Sequence, residues 1–117
     1  MHMKKFICVY RVPVEVAEKW KKESSEEERK KQDAEMGVKM SAWLAKYDKE
    51  IVDKGLPLGT NTRLTKDGAT PMTNDMNYYC VIEAASAEEV VGIVKDGLVL
   101  VPGAFIDIME VPEMKMQ

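Results

Sequence analysis

The chain has 117 residues, of which 45% are hydrophobic and 32% charged, with a formal net charge of -3. That length suits a single domain, 1–117, with one modest core, and the balance excludes a disordered chain. The negative charge and the lack of a basic stripe argue against nucleic acid as a partner, and no apolar run nears the ~20 residues of a membrane span.

Strand-like residues begin at Phe6 with no charged-then-apolar leader before them, so the cytoplasm is the expected location. Met1–His2–Met3 reads as a disordered or vector-derived start, with the natural start at Met3. His2 is the only histidine. A catalytic histidine, a histidine metal site and a Ser-His-Asp triad are therefore not expected. Cys8 and Cys80 have no Cys or His neighbour at metal spacing. They read as buried thiols rather than a disulfide in a chain without a secretion signal. No cofactor and no metal are expected.

Lys4 to Val12 is the first predicted strand, apolar on both faces and ended by Pro13, which lacks an N–H. Val14 to Glu23 reads as a short helix, with Trp20 as a packing anchor or a lid over a pocket. Ser24 and Ser25 both offer N-caps, with glutamates three residues on, so either register gives a capping box. A long helix should follow, running through Val52 and breaking near Gly37. Met36, Met40, Trp43, Leu44, Tyr47 and Ile51 make one apolar stripe along it. Gly55 reads as its C′ residue.

Thr60 to Thr65 reads as a polar second strand at a sheet edge. Lys66–Asp67–Gly68 is a turn, and Ala69 to Asn77 a loop. Tyr78 to Ala84 is the clearest strand, rich in aromatic and β-branched residues and apolar on both faces. Ser86–Ala87–Glu88–Glu89 is a capping box that opens a helix from Ala87 to Lys95. Leu98 to Val101 is short and apolar, Ala104 to Val111 is the last strand, and 112–117 is a tail.

This order gives an α+β fold on the ferredoxin-like β-α-β-β-α-β plan. Its four-stranded antiparallel sheet has order 4-1-3-2, with two helices on one face. The two central strands are greasy on both faces, and one helical layer covers only one of them. A homodimer through the sheet face is the simplest cover.

The chain resembles the YCII-related (DGPF-type) family of small dimeric α+β-barrel proteins over roughly residues 4 to 112. The residues that carry the likeness are Lys5–Phe6–Ile7–Cys8–Val9–Tyr10, Ala42–Trp43–Leu44 and Gly55–Leu56–Pro57–Leu58–Gly59. They continue with Thr73–Asn74–Asp75, Tyr79, the Ser86–Ala87–Glu88–Glu89 step, and Pro102–Gly103 before Ile106–Asp107–Ile108–Met109–Glu110. The resemblance implies a dimer with a cleft between sheet and helices, and for some members acid–base chemistry by His and Asp. Many members carry histidines just after the second helix. Here that stretch is Lys95–Asp96–Gly97–Leu98–Val99–Leu100, without histidine.

Asp75 and Asp107 are the candidate acid–base residues. Asp75 reads either as an Asx-turn residue or as a carboxylate at a pocket mouth. Asp107 reads as a rim residue or as a partly buried general base. Trp43, Tyr47, Tyr79 and Arg11 are candidate ligand contacts. Three functional readings stay open. One is a small-molecule-binding dimer, with or without weak lyase- or isomerase-like chemistry in its cleft. Another is a non-catalytic interaction or regulatory module. The third is a cofactor-free monooxygenase.

Overall fold

The computed structural model describes residues 3–97 and 102–113, so the predicted Leu98–Val101 segment and most of the tail lie outside the described residues. Strand β1 (Lys4–Arg11) stops before Pro13, and the Val12 N–H turns away to donate to the Asp75 carbonyl at 2.8 Å. Helix α1 (Val14–Glu23) follows; it buries none of its residues, and Trp20 stays partly exposed. Of the two capping registers, the chain uses the second. The Ser25 Oγ accepts from the Glu28 N–H at 3.1 Å and opens α2 (Glu26–Lys46). Ser24 closes α1 instead, its hydroxyl donating to the Trp20 carbonyl at 2.5 Å. Arg29 fastens the joint by donating to the carbonyls of Lys21 and Ser24.

Helix α2 runs unbroken past Gly37, where nothing lies within 4 Å of the place a Cβ would occupy. It ends at Lys46, earlier than the periodicity suggested. Residues 47–50 form a turn, with the N–H groups of Glu50 and Ile51 both donating to the Tyr47 carbonyl. The apolar stripe carried Ile51 as a helical residue, but Ile51 pairs with Ile82 in β2 (Ile51–Asp53). β-Branched Ile51 and Val52 suit a strand better than a helix end, and Ile51 is buried there. Gly55 is thus a turn residue after β2, with φ +69°, and not a helix cap.

The second strand also differs from expectation. β3 (Asn61–Thr65) and β4 (Gly68–Met72) make a separate two-stranded hairpin through Lys66–Asp67. Residues 69–72, read as the start of a loop, are therefore strand. Thr60–Thr65 has no apolar face to offer the core, whereas Ile51 does. The main-sheet edge accordingly goes to β2.

β5 (Met76–Ala84) is the long central strand. α3 (Ala87–Lys95) begins as the sequence indicated: Ser86 Oγ accepts from the Glu89 N–H, and the Glu89 carboxylate accepts from the Ala85 N–H. β6 (Phe105–Val111) closes the chain. The fold is α+β, with three helices, one hairpin and a four-stranded antiparallel sheet of order β2-β5-β1-β6. β1 and β5 are central, as their two apolar faces demanded.

One face of that sheet meets the helices. Phe6, Cys8, Cys80, Ile82 and Ala84 pack there with Trp43 from α2 and Val90, Ile93 and Val94 from α3. Cys8 and Cys80 stand directly opposite each other across the ladder, both buried and both free. A hydrogen bond to Cys8, then burial, pushes the Cys80 thiol well above its ordinary range. A thiol so placed is an unreactive packing group.

The other face carries Ile7, Val9, Tyr79, Val81, Phe105, Met109 and Val111, by strand alternation and register. Phe105, Met109 and Val111 are 41%, 43% and 48% exposed. The molecule is a slab of 49 × 44 × 19 Å with a radius of gyration of 16.4 Å. A compact chain of this length would have about 13 Å. Its accessible surface is 8907 Å², against roughly 6,400 Å² for a typical monomer of this mass.

Candidate functional site

A cavity of about 180 Å³ opens between α2 and the sheet. Met36, Lys39 and Met40 line it from α2, Tyr10 from β1, Asn77 and Tyr78 from β5, with Pro57 and Gly97 from loops. The spacing of Met36, Lys39 and Met40 at i, i+3 and i+4 puts the three on one side of the helix. Pro57 is brought in by an isolated bridge to Tyr78, and the Leu58 N–H donates to the Asn77 carbonyl at 2.8 Å. Against β1, the register shifts between Tyr10 and Arg11: Tyr10 pairs with Tyr78 and Arg11 with Met76. Asn77 is the extra residue of that bulge, a device that re-aims a side chain.

The Tyr78 hydroxyl donates to the Lys54 carbonyl. Burial, helped by the charge of Asp53, pushes its pKa up to about 12. It is therefore neutral in the physiological range and acts as a hydrogen-bonding wall. No carboxylate lines the cavity among the described residues.

The sequence-derived candidates fall into two groups. Arg11, Asp75 and Asp107 come together: Arg11 Nη1 donates to Asp75 Oδ1 at 2.6 Å, and Arg11 Nε lies 2.8 Å from Asp107 Oδ2. The second contact is an ion pair whose angle falls short of a hydrogen bond. Val9 pairs with both Tyr79 and Asp107, so Tyr79 and Asp107 share the helix-free face. The Asx turn in this loop belongs to Asn74, whose Oδ1 accepts from the Met76 N–H at 3.0 Å; Asp75 serves the arginine instead.

Trp43 and Tyr47 lie on the helix side, ring centroids 6.4 Å apart. Trp43 is in the core, and its Nε1–H donates to the Ile93 carbonyl at 2.8 Å. The Tyr47 hydroxyl donates to Asp96 Oδ2 at 2.7 Å, and Lys46 Nζ reaches the same oxygen at 2.5 Å. These bonds, the Lys46 one first, hold the Asp96 carboxyl below its ordinary range. They tie the C-terminal end of α2 to that of α3. A second, more open cleft lies beside them, lined by Lys39, Ala42, Trp43, Lys46, Lys95, Asp96 and Gly97.

None of these candidates lines the cavity: Trp43 and Tyr47 lie on its side of the sheet, whereas Tyr79 and Asp107 lie on the other face. Lys39, Asn77, Pro57 and Gly97 were not singled out from the sequence as site residues. Lys39 had a signal: it rides beside the methionine stripe, one position before Met40. Asn77 had none, because only the β1–β5 register makes it a bulge. Among the described residues no cluster of three or more His, Cys, Asp or Glu side chains could hold a metal ion, and no helix is long and apolar enough to cross a membrane. Comparison of the chain with protein-family models, with curated proteins and with solved structures returns no match.

Proposed function

We propose that this protein is a small-molecule-binding homodimer that holds its ligand in the cleft between α2 and the sheet. The observation that carries the reading is the cavity of about 180 Å³ walled by Tyr10, Met36, Met40 and Tyr78. Binding sites are typically concave and mostly apolar, with a few placed polar groups; Lys39 and Asn77 are those groups here. The likeness to the YCII-related dimeric α+β-barrel proteins and to the ferredoxin-like plan supports the same reading. Acid–base chemistry by Asp75 and Asp107 would take place on the opposite face, where both carboxylates already meet Arg11.

The reading is tested by titrating a panel of small apolar and polar fragments into the isotopically labelled protein. Binders are expected to move the signals of Tyr10, Met40, Tyr78 and Gly97. If no fragment moves them at millimolar concentration, the cleft is not a binding site.

The dimer rests on the helix-free face. The slab exposes roughly 2,500 Å² more than its mass warrants, and a standard interface removes about 800 Å² from each partner. Phe105, Met109 and Val111 supply an apolar stripe on β6 for a second copy. Sedimentation at micromolar concentration should give a dimer, and Met109→Lys should shift it to monomer by placing a charge in that stripe. A wild-type monomer would sink this part. The competing reading, a non-catalytic interaction module, takes its support from the same exposed face, and a stoichiometric heterologous partner in place of a second copy would favour it.

A further inference from the structure

We propose that the cleft between α2 and the sheet selects a small apolar monocarboxylate, with Lys39 as its counter-charge. This rests on the binding-site reading above and adds the class of ligand.

Size sets the first limit. A dry cavity of about 150 Å³ accommodates benzene, so about 180 Å³ suits one ring, or a branched chain, with one small polar group. The walls set the second. Met36, Met40, Pro57 and the tyrosine rings offer carbon to most of the ligand, and a polar body would lose its water without replacement bonds. The Tyr78 hydroxyl is already committed to the Lys54 carbonyl.

Charge sets the third limit. Lys39 is the one charged side chain lining the cavity among the described residues, and no carboxylate lines it alongside. It also borders the adjoining cleft, which brings Lys46 and Lys95 close by. The carboxylate in that group, Asp96, is already bound by Lys46 and Tyr47. Three lysines face one aspartate, a positive spot on a chain whose net charge is -3. A cationic ligand would be repelled. A phosphate dianion would need several donors, and the cavity offers one ammonium and the Asn77 amide. A monocarboxylate matches both: one charge beside Lys39 and Asn77, the hydrocarbon between the methionines and Tyr78.

The test uses benzoate, benzamide and benzylammonium, which share a ring and differ in charge, with binding followed by chemical-shift titration of the full chain. Benzoate should bind on the order of tenfold more tightly than benzamide, the worth of one charge-assisted contact, and benzylammonium most weakly. Shifts should centre on Asn77, Tyr78 and Gly97. Lys39→Gln should remove the benzoate preference while leaving the melting temperature unchanged, since Lys39 is exposed; Lys39→Arg should keep the preference. If benzamide binds as well as benzoate, or Lys39→Gln leaves the preference intact, the charge assignment is overturned and the binding site stands. If none of the three binds while neutral fragments from the wider panel do, the ligand class alone is wrong. If nothing binds in the cleft at all, both readings fall together.

Discussion

Trp43→Ala is expected to lower stability by about 3–5 kcal/mol, the range for removing a large buried aromatic side chain. Trp43 is 3% exposed, at the centre of the contact between α2, α3 and the sheet. Its loss opens a void and also removes a buried hydrogen bond. Ile93 O accepts from the Trp43 Nε1–H at 2.8 Å and keeps the longer bond from the Asp96 N–H at 3.3 Å, so the lost bond adds about 0.5–1.5 kcal/mol. Little can collapse into the space. The far wall is Gly97, where an added Cβ would sit 2.0 Å from the indole Cδ1; glycine is there because the ring occupies the room. A domain of this size has only about 5–15 kcal/mol in total, so the variant should show a much lower urea midpoint. Trp43→Phe separates the two effects: it keeps most of the ring and loses the hydrogen bond. If Trp43→Ala were within 1 kcal/mol of wild type, the core described here would be wrong.

Gly55→Ala is the second large effect. Gly55 has φ +69°, where a side chain is strained, and a Cβ there would lie 1.5 Å from the backbone oxygen of Tyr79. That obstacle is the main chain of the central strand, which cannot rotate aside as a side chain would. Backbone strain of about 1–3 kcal/mol adds to an overlap of similar cost, for roughly 3 kcal/mol or more. The segment must move off β5, taking with it the Pro57–Tyr78 bridge that walls the cavity. Ligand binding should therefore weaken together with stability. Gly59→Ala is the control: nothing lies within 4 Å of its Cβ, and its denaturation midpoint should stay near wild type. Equal effects at the two glycines would sink the assigned geometry.

Much of the architecture is legible in the sequence. The bilateral greasiness of Phe6–Tyr10 and Tyr78–Ile82 marked the central strands, because that pattern reports burial directly. Ser25 and Ser86 marked helix starts, since a hydroxyl three residues before a glutamate has a local job. The edge of the sheet was not legible. Ile51 continues the helical spacing from Tyr47, and only its pairing with Ile82 shows that it has left the helix. Thr60–Thr65 has good strand chemistry and does form a strand, but chemistry alone does not name its partner. The site was harder still. Arg11, Asp75 and Asp107 are far apart in sequence, and their meeting depends on register; the same holds for Asn77. Charged residues drew attention, yet the cavity is walled mainly by methionine and tyrosine, which in sequence look like ordinary core.

The hairpin Asn61–Met72 has a consequence for how the molecule comes apart. Its ladder joins only its own two strands, and Leu64 is 80% exposed. Two strands with so little apolar cover are marginal in water. The protein is thus built of two units of unequal ruggedness. The hairpin can open and close many times while the main ladder stays shut, with amide protons at 61–72 trading with solvent long before those of β1 and β5.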